Sequence, residues 1–332
     1  SFHPVAGVSA VASPPETRRR GHVGAMLGRV HAELRDDDVP FAALWPFDYG
    51  FYRRYGYGLA TRRARVTVPP GDLDAPAPEP AGEFRRCTAD DWETLDAVHR
   101  AAATEPLAMR RTEGWWRHRV LESWETDPYA VAWLDDAGVP RGYLVYTVEG
   151  DAADERTLRA SDLAAADHGA LRHLLRFCRD HDSQVAEVEF EARPDVATGL
   201  FELLPDPRAA TVELRPGPML RAVDVRAAVA ARAVPAGVEE RVTLAVDDET
   251  CPWNAGTYEL RVADAAARLR PAPDAEPALS VGVDALAGVF VGAVGPTRLV
   301  ETGAATGVAA AAAALERAFP PASRTPWLRE FF

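Results

Sequence analysis

Residues 5–36 carry the pattern that most restricts what this chain can fold into. A β-like run from Val5 to Val11 is followed by an arginine-rich glycine loop and then by an amphipathic helix. The helix is predicted from apolar residues at relative spacings of 0, 3, 4, 7 and 11, at Val23, Met26, Leu27, Val30 and Leu34. This order brings a helix N-terminus to the end of a strand.

The loop in this pattern, Arg18-Arg19-Arg20-Gly21-His22-Val23-Gly24, has the chemistry of an anion site. The first N–H groups of a helix lack partners within the helix, and the helix dipole is positive there. Gly21 and Gly24 are expected to let a ligand approach the backbone closely. Three adjacent arginines alone are more typical of a solvated surface. The flanking strand and helix favour a pyrophosphate site, although the loop is neither a Walker P-loop nor G-x-G-x-x-G.

Composition limits the classes of partner. The 332 residues include 50 acidic and 37 basic side chains, which gives a net charge of −13. All the basic side chains are arginine and isoleucine is absent, which indicates a genomic or halophilic bias. A surplus of carboxylates repels phosphate backbones, so nucleic acid is not an expected partner.

Cysteine spacing and hydropathy exclude further classes. Cys87, Cys178 and Cys251 are too few and too widely spaced for a disulfide framework or a zinc site, so we expect a cytoplasmic protein without a metal. The longest apolar stretch, Ala285 to Gly295, is shorter than the ~18 residues of a membrane helix, so no membrane partner is expected. The first β-like run has no strand or helix before it, so we expect a missing start upstream of Ser1.

The chain divides into an α+β arrangement of three parts. Five prolines between residues 69 and 82 predict a stiff linker. The part after it begins with a strand, then Thr88 as helix N-cap with Asp91 three residues later. From Leu220 short β runs alternate with helical pieces, and the chain ends in the aromatic sequence Trp327-Leu328-Arg329-Glu330-Phe331-Phe332.

Two motifs give the chain a family resemblance. The segment Val11 to Gly24 resembles the acetyl-CoA motif of the GNAT N-acetyltransferases, with Val23 where many members have Gly or Ala. The string from Gly50 to Gly58 resembles the F-Y-x-x-x-G-[FY] turn of that fold. Together with the ending Glu330-Phe331-Phe332, these motifs are similar in order to the Eis-like (enhanced intracellular survival) branch.

The resemblance implies two GNAT domains and a sterol-carrier-like α+β domain. The predicted parts are residues 1–70, the C-terminal part of a catalytic GNAT domain; 71–82, the linker; 83–216, a second GNAT domain without cofactor; and 217–332, the sterol-carrier-like domain with a catalytic tail. In the second GNAT domain, Asp162 and Asp167 would repel a pyrophosphate.

The resemblance also implies the chemistry. Tyr52 would be the general acid that protonates the CoA thiolate, and the main-chain carboxylate of Phe332 would be the base. The acetyl-CoA contacts would come from Val11, whose N–H would face the oxyanion, and from Ser13, Arg18, Arg19, Arg20, Gly21, His22, Val23 and Gly24. Trp45, Phe47 and Glu330 are the candidates for contacts with the acceptor.

The predicted function is transfer of acetyl from acetyl-CoA to a primary amine by direct attack, with no metal. The acceptor would be a small-molecule or peptide amine, such as an aminoglycoside, a polyamine or a lysine-like side chain. The resemblance implies a homo-oligomer, a ring of dimers such as a hexamer. The alternative is a non-catalytic protein that uses the sterol-carrier-like domain to bind an apolar ligand or a partner.

Overall fold

The computed structural model describes residues 2–73, 81–123, 127–152 and 155–332. The chain forms two compact units, Ser1–Thr61 with Pro216–Phe332, and Arg62–Arg215. Most of the predicted linker, residues 74–80, lies outside the described residues.

The first segment of unit 1 has the predicted strand, loop and helix. Its elements are β1 (Val5–Gly7), α1 (His22–Asp36), β2 (Phe41–Leu44), α2 (Tyr49–Arg53) and β3 (Gly58–Leu59), with a 3₁₀ turn at Pro15–Thr17. β1 and β2 are parallel, with Ala6 opposite Ala42.

The first strand is shorter than predicted, since it ends at Gly7 and not at Val11. The last bond to its neighbour runs from the Val8 N–H to the Ala43 carbonyl, at 2.8 Å. β2 itself stops before Pro46, which has no N–H to offer, and Ala10 has a left-handed φ of 54°. Residues 9–14 therefore leave the sheet.

The predicted helix is confirmed as α1, but its buried face differs from the predicted one. Leu27 is fully buried, whereas Met26 is 44% exposed. His31 occupies the buried position one turn after Leu27. His31 thus fills a core position on the face of α1 where the sequence pattern predicted only hydrophobic residues.

Unit 2 is built on a seven-stranded sheet in the order β10-β4-β9-β8-β7-β6-β5. Its strands are β4 (Arg62–Val68), β5 (Glu83–Cys87), β6 (Tyr129–Leu134), β7 (Pro140–Glu149), β8 (Thr157–Ala165), β9 (Glu187–Ala192) and β10 (Thr211–Pro216). Its helices are α3 (Trp92–Ala102), α4 (Glu113–Trp115, continued by a π turn at Trp116–Val120), α5 (His168–Arg179) and α6 (Pro194–Gly199). Short 3₁₀ turns lie at Pro70–Leu73, Ala89–Asp91, Leu200–Glu202 and Pro207–Ala209.

In this unit the structure confirms one sequence prediction and differs from another. The capping pair is confirmed, because the Thr88 N–H donates to the Asp91 carboxylate and the Thr88 hydroxyl accepts from the Asp90 N–H. The boundary at residue 70 differs from the structure, since β4 belongs to this sheet and not to the first segment. The physical reason is that Ala64, Val66 and Val68 fill its core.

The last segment completes unit 1. Its strands are β11 (Met219–Ala222), β12 (Glu240–Asp247), β13 (Gly256–Ala263), β14 (Ala266–Pro271), β15 (Leu279–Gly282) and β16 (Ala305–Gly307). Its helices are α7 (Val225–Ala231), α8 (Val283–Phe290), α9 (Pro296–Glu301) and α10 (Ala309–Ala318). β12 to β16 form a five-stranded sheet in the order β14-β13-β12-β15-β16.

β11 joins the first segment to the last. It inserts antiparallel between β2 and β3, with Leu220 opposite both Ala43 and Gly58. α8 packs on β11 and β3. A strand from beyond residue 216 is therefore part of the sheet that carries the arginine loop.

Candidate functional site

The N-terminus of α1 is an open site for an anion. Its N-cap is Gly21, which has a φ of 82° and no side chain to cap the helix. The Ala25 N–H bonds to the Gly21 carbonyl at 3.0 Å, so the amides of residues 22–24 precede the first helical hydrogen bond. A Cβ built on Gly21 would meet no atom within 4 Å. The positive φ favours glycine here, and the space beside it is open to a ligand.

The three arginines of the loop have different surroundings. The Arg18 Nε donates to the Ser13 carbonyl at 3.1 Å and so closes the loop on itself. Arg19 has a left-handed φ of 61°, and both it and Arg20 are exposed. Arg18 thus shapes the loop, while Arg19 and Arg20 extend into solvent beside the free amides.

Gly24 has a different role from the predicted one. A Cβ at this position would lie 3.0 Å from Cε1 of Tyr55 and 3.2 Å from its hydroxyl. The Tyr55 ring, and not a ligand, therefore occupies the space that a side chain at position 24 would fill. The absence of a side chain lets the first turn of α1 pack on the segment that follows α2.

Val11 and Ser13 lie in the segment that has left the sheet. Both are half-buried, and neither is part of a strand edge as predicted. Backbone that is no longer paired with β2 can present its N–H groups to a ligand. The pairing of the two strands ends at Val8, so this change in the backbone begins directly after it.

Tyr52 lies on the short helix α2. The Asp48 carboxylate caps this helix by accepting from the Phe51 N–H at 2.7 Å. Tyr52 is 3% exposed and has the rings of Phe47, Phe51 and Tyr57 within 5.1–6.0 Å, mostly edge to face. Burial raises the pKa of its hydroxyl, so the phenol holds its proton at neutral pH.

The C-terminal tail is docked on the first segment. The Trp45 indole donates to the Glu330 carbonyl at 2.9 Å, and its ring lies 5.5 Å from that of Phe331. The Phe332 ring covers Gly7, where a built Cβ would approach its Cδ2 to 2.7 Å. Trp45, predicted as an acceptor contact, thus holds the tail.

The Phe332 ring and the hydrophobic cluster that contains Tyr52 border the same strand. Ala6 and Val8 pack against the cluster that contains Tyr52, whereas Gly7 between them contacts Phe332. Successive residues of a strand face opposite sides, so this cluster and the Phe332 ring lie on the two faces of β1. Glu330 is buried beside them, while Phe47 and Phe331 are each 70% exposed.

The corresponding loop of unit 2 differs from the arginine loop. α5 is capped by Asp167, whose carboxylate accepts from the Ala170 N–H at 2.8 Å. The same carboxylate pairs with Arg141. Asp162 is buried and pairs with Arg111, and it also accepts from the Tyr143 hydroxyl at 2.9 Å.

Two groups beside the site could not be found from the sequence. Arg221 on β11 is fully buried and pairs with Asp248 at 2.6 Å. His31 on α1 is also fully buried, with its Nε2 3.0 Å from the Tyr57 hydroxyl. Neither belongs to a recognisable motif. For His31 the sequence gives one indication, since it lies four residues after Leu27 within the apolar pattern of the predicted helix.

His31 predicts a pH-dependent stability. Burial, together with the positive charge of Arg221, lowers the pKa of His31 from 6.5 to about 3. Between these values the unfolded chain takes up a proton that the folded chain does not, so acid favours unfolding. We expect His31→Gln to flatten the dependence of the unfolding free energy on pH by about 1.4 kcal/mol per pH unit between pH 6 and pH 4. Urea titrations of both proteins at each pH measure this slope, and parallel curves for the two would contradict the assignment.

Within the described residues, no group of three His, Cys, Asp or Glu side chains is arranged to hold a metal ion. Among the helices of the same residues, none combines the length and the apolar character that crossing a bilayer requires.

Three family models match consecutive parts of the chain. An acetyltransferase (GNAT) domain matches residues 2–60, a second acetyltransferase (GNAT) domain matches residues 107–226, and a sterol carrier protein domain matches residues 225–329. The order agrees with the three parts expected from the sequence.

Individual relatives agree with the domain matches. An uncharacterized N-acetyltransferase of Streptomyces avermitilis is 30% identical over 335 residues, which cover 91% of this chain and 78% of that protein. The N-acetyltransferase Eis of Mycobacterium tuberculosis is 31% identical over 172 residues, 49% of this chain and 41% of that protein. The crystal structure of Eis1 from Mycobacterium abscessus has a TM-score of 0.80 and 28% identity, over 99% of this chain and 83% of that chain. The chain is thus an acetyltransferase with two GNAT domains and a sterol-carrier-like domain, and it belongs to the Eis-like branch of the GNAT N-acetyltransferases.

Proposed function

We propose that this enzyme transfers acetyl from acetyl-CoA directly to a primary amine of an aminoglycoside, a polyamine or a lysine-like acceptor. The neutral amine attacks the thioester carbonyl, so that a C–N bond forms and the C–S bond breaks. The Tyr52 hydroxyl gives its proton to the departing sulfur, and the main-chain carboxylate of Phe332 takes one from the amine. The products are the acetylated amine and CoA, and solvent restores the protonation of both groups.

The arginine loop supports the placement of acetyl-CoA. Free amides at the start of α1, the positive end of its dipole and the exposed guanidinium groups of Arg19 and Arg20 suit a diphosphate. Arg18 maintains the loop through the Ser13 carbonyl. Val11 and Ser13 precede the loop, and the amides of residues 22–24 follow Gly21 at its other end. The pantetheine arm would run from these amides toward Val8, where the pairing of β1 with β2 ends.

The docked tail is the observation that carries the proposal. The Phe332 ring lies on one face of β1, and the hydrophobic cluster that contains Tyr52 packs on the other. A raised pKa keeps Tyr52 a proton donor. The Phe332 ring and the cluster that contains Tyr52 both border β1, so the proposal places the thioester at this strand.

The acceptor would meet an aromatic surface with a carboxylate behind it. Phe47 and Phe331 supply exposed rings, and the buried Glu330 carboxylate belongs to the residue two positions before the chain end. A cation is attracted both to a carboxylate and to the face of a ring. The net charge of −13 adds a long-range preference for cationic amines over anionic partners.

The same proposal assigns acetyl-CoA to unit 1 alone. In unit 2, Asp167 already occupies the amides at the start of α5 and would repel a diphosphate. A homo-oligomer such as the hexamer completes the proposal by family resemblance, and the few, widely spaced cysteines favour a cytoplasmic location.

The core of the sterol-carrier-like domain bears on the alternative, a protein that binds an apolar ligand. Its cavity is lined by Val229, Leu244, Leu269 and Phe319 among others and measures about 10 Å³. That volume is about what one water molecule needs. This cavity is too small to hold a sterol, so it gives the alternative no support.

An assay with the full chain tests the proposal. The protein is mixed with acetyl-CoA and a panel of aminoglycosides, polyamines and lysine peptides, while free thiol and the acetylated product are both measured. We expect thiol release that depends on the acceptor and matches the acetylated amine in amount. Thiol release that is equal with and without every amine would refute the transfer.

A further inference from the structure

A buried arginine lies directly behind the turn that follows Tyr52. Arg221 on β11 is 0% exposed, and its Nη1 donates to the backbone carbonyl of Tyr55. Its Nη2 donates to the Asp248 carboxylate at 2.6 Å. One guanidinium thus connects the turn after α2 with the segment after β12.

The partner carboxylate is itself held firmly. Asp248 accepts from the backbone amides of Thr250 and Cys251 at 3.1 and 3.0 Å, and from the Asn254 amide at 2.9 Å. Asn254 in turn bonds to the backbone of Val223 and Val225 at the end of β11. The carboxylate is therefore fixed from several sides before it meets Arg221.

The turn is shaped to receive this arginine. Gly56 has a φ of 79°, and a Cβ built on it would overlap Arg221 Nη1. Gly58 is equally tight, since its built Cβ would overlap the Asp284 carbonyl on α8. The two glycines of the Tyr55-Gly56-Tyr57-Gly58 string are thus required for contact with the last segment of the chain.

The same turn reaches both parts of the proposed site. The Tyr55 N–H and the Tyr57 N–H donate to the Tyr52 carbonyl at 2.9 and 3.3 Å. The Tyr55 ring packs on Gly24 in the first turn of α1. A shift of the Tyr55 backbone would therefore move Tyr52 directly.

A buried ion pair is poorly explained by stability alone. Desolvation of both charges offsets most of their attraction, and apolar replacements of such pairs are often neutral or stabilising. The Arg221 Nε also finds no acceptor within the described residues, which adds to the cost. What the pair does provide is a fixed geometry, because the planar guanidinium of Arg221 holds its N–H donors rigidly and so sets the position of the Tyr55 carbonyl.

We propose that Arg221, oriented by Asp248, is a positioning residue for acetyl transfer. It fixes the turn after Tyr52 and thereby the place of the Tyr52 hydroxyl. This inference rests on the proposed function, in which that hydroxyl protonates the CoA sulfur.

A double-mutant cycle in kcat tests the proposal. Arg221→Lys keeps the charge beside Asp248 but loses the fork, and Asp248→Asn keeps the shape of the side chain but loses its charge. We expect each to lower kcat by ~10-fold to 100-fold in the wild-type background, since a displacement of about 1 Å costs that much. In the Tyr52→Phe background we expect a further loss of less than about twofold, because residues that act through one group are not additive.

A matched control separates positioning from general destabilisation. Asp162→Asn breaks another buried arginine–aspartate pair, in unit 2. We expect it to lower Tm by an amount similar to that of Asp248→Asn and to leave kcat within about twofold when the assay is run below Tm. If Arg221→Lys does not fold, Asp248→Asn completes the same cycle.

The outcomes are distinct. The proposal is overturned if the folded Arg221 and Asp248 variants keep wild-type kcat, or if their fold-losses are the same in the wild-type and in the Tyr52→Phe background. If Tyr52→Phe alone keeps wild-type kcat, the acid of the proposed function is wrong, and the positioning role falls with it.

Discussion

Replacement of Tyr52 with phenylalanine is expected to lower kcat by ~10²-fold to 10⁴-fold, the range for loss of one general acid. The ring contacts with Phe47, Phe51 and Tyr57 remain, because the substitution removes the hydroxyl alone. KM for acetyl-CoA should change little, since the proposed diphosphate site lies on α1. Steady-state kinetics with a saturating amine measure both constants.

The pH profile adds a second readout for Tyr52. The neutral phenol is the active form, and burial raises its pKa above the ordinary value of about 10. Wild-type kcat should therefore not fall through loss of this proton anywhere below pH 10. Tyr57→Phe serves as the control, since its hydroxyl bonds to His31 and takes no part in the transfer. A Tyr52→Phe enzyme within about threefold of wild-type kcat would remove Tyr52 from the mechanism.

Addition of one glycine after Phe332 is expected to lower kcat by a similar ~10²-fold to 10⁴-fold. The extra residue converts the carboxylate into a neutral amide and moves the new chain end by about 3.5 Å. The Phe332 ring can keep its contact with Gly7, so the docked tail should survive the addition. The measurement is kcat and KM for the extended and the natural chain with the same amine.

A companion substitution separates the carboxylate from the ring. Phe332→Leu keeps the main-chain carboxylate and reduces the packing on Gly7. If the carboxylate is the base, the loss in kcat should be at least about tenfold smaller for Phe332→Leu than for the added glycine. Equal losses would mean that the tail acts by packing, and an extended chain with wild-type kcat would exclude the terminal base.

Local patterns predicted the elements that depend on neighbouring residues. The helix that begins at His22 and the capping pair Thr88 and Asp91 follow from short-range spacing, because each depends on contacts within a few residues. Such local features can be predicted without knowledge of the rest of the fold. The role of the tail that ends in Phe332 came instead from the family resemblance, since its docking joins residues far apart in the chain.

Long-range pairings limited the prediction. The insertion of β11 between β2 and β3, and the place of β4 in the seven-stranded sheet, depend on partners more than 100 residues away. Gly24 illustrates the same limit within a motif, because the sequence cannot show that Tyr55 fills the space beside it. The buried pair of Arg221 and Asp248 was missed since charged residues are expected at the surface.

The most direct test of the central claim is calorimetric titration of the full chain with CoA. The claim is that the amides of α1 and the loop from Arg18 to Gly24 bind the diphosphate. We expect one site per chain, and we expect a double substitution, Arg19→Glu with Arg20→Glu, to weaken Kd at least ~10-fold by replacing attraction with repulsion. A stoichiometry of two, or a Kd that the double substitution leaves unchanged, would contradict it.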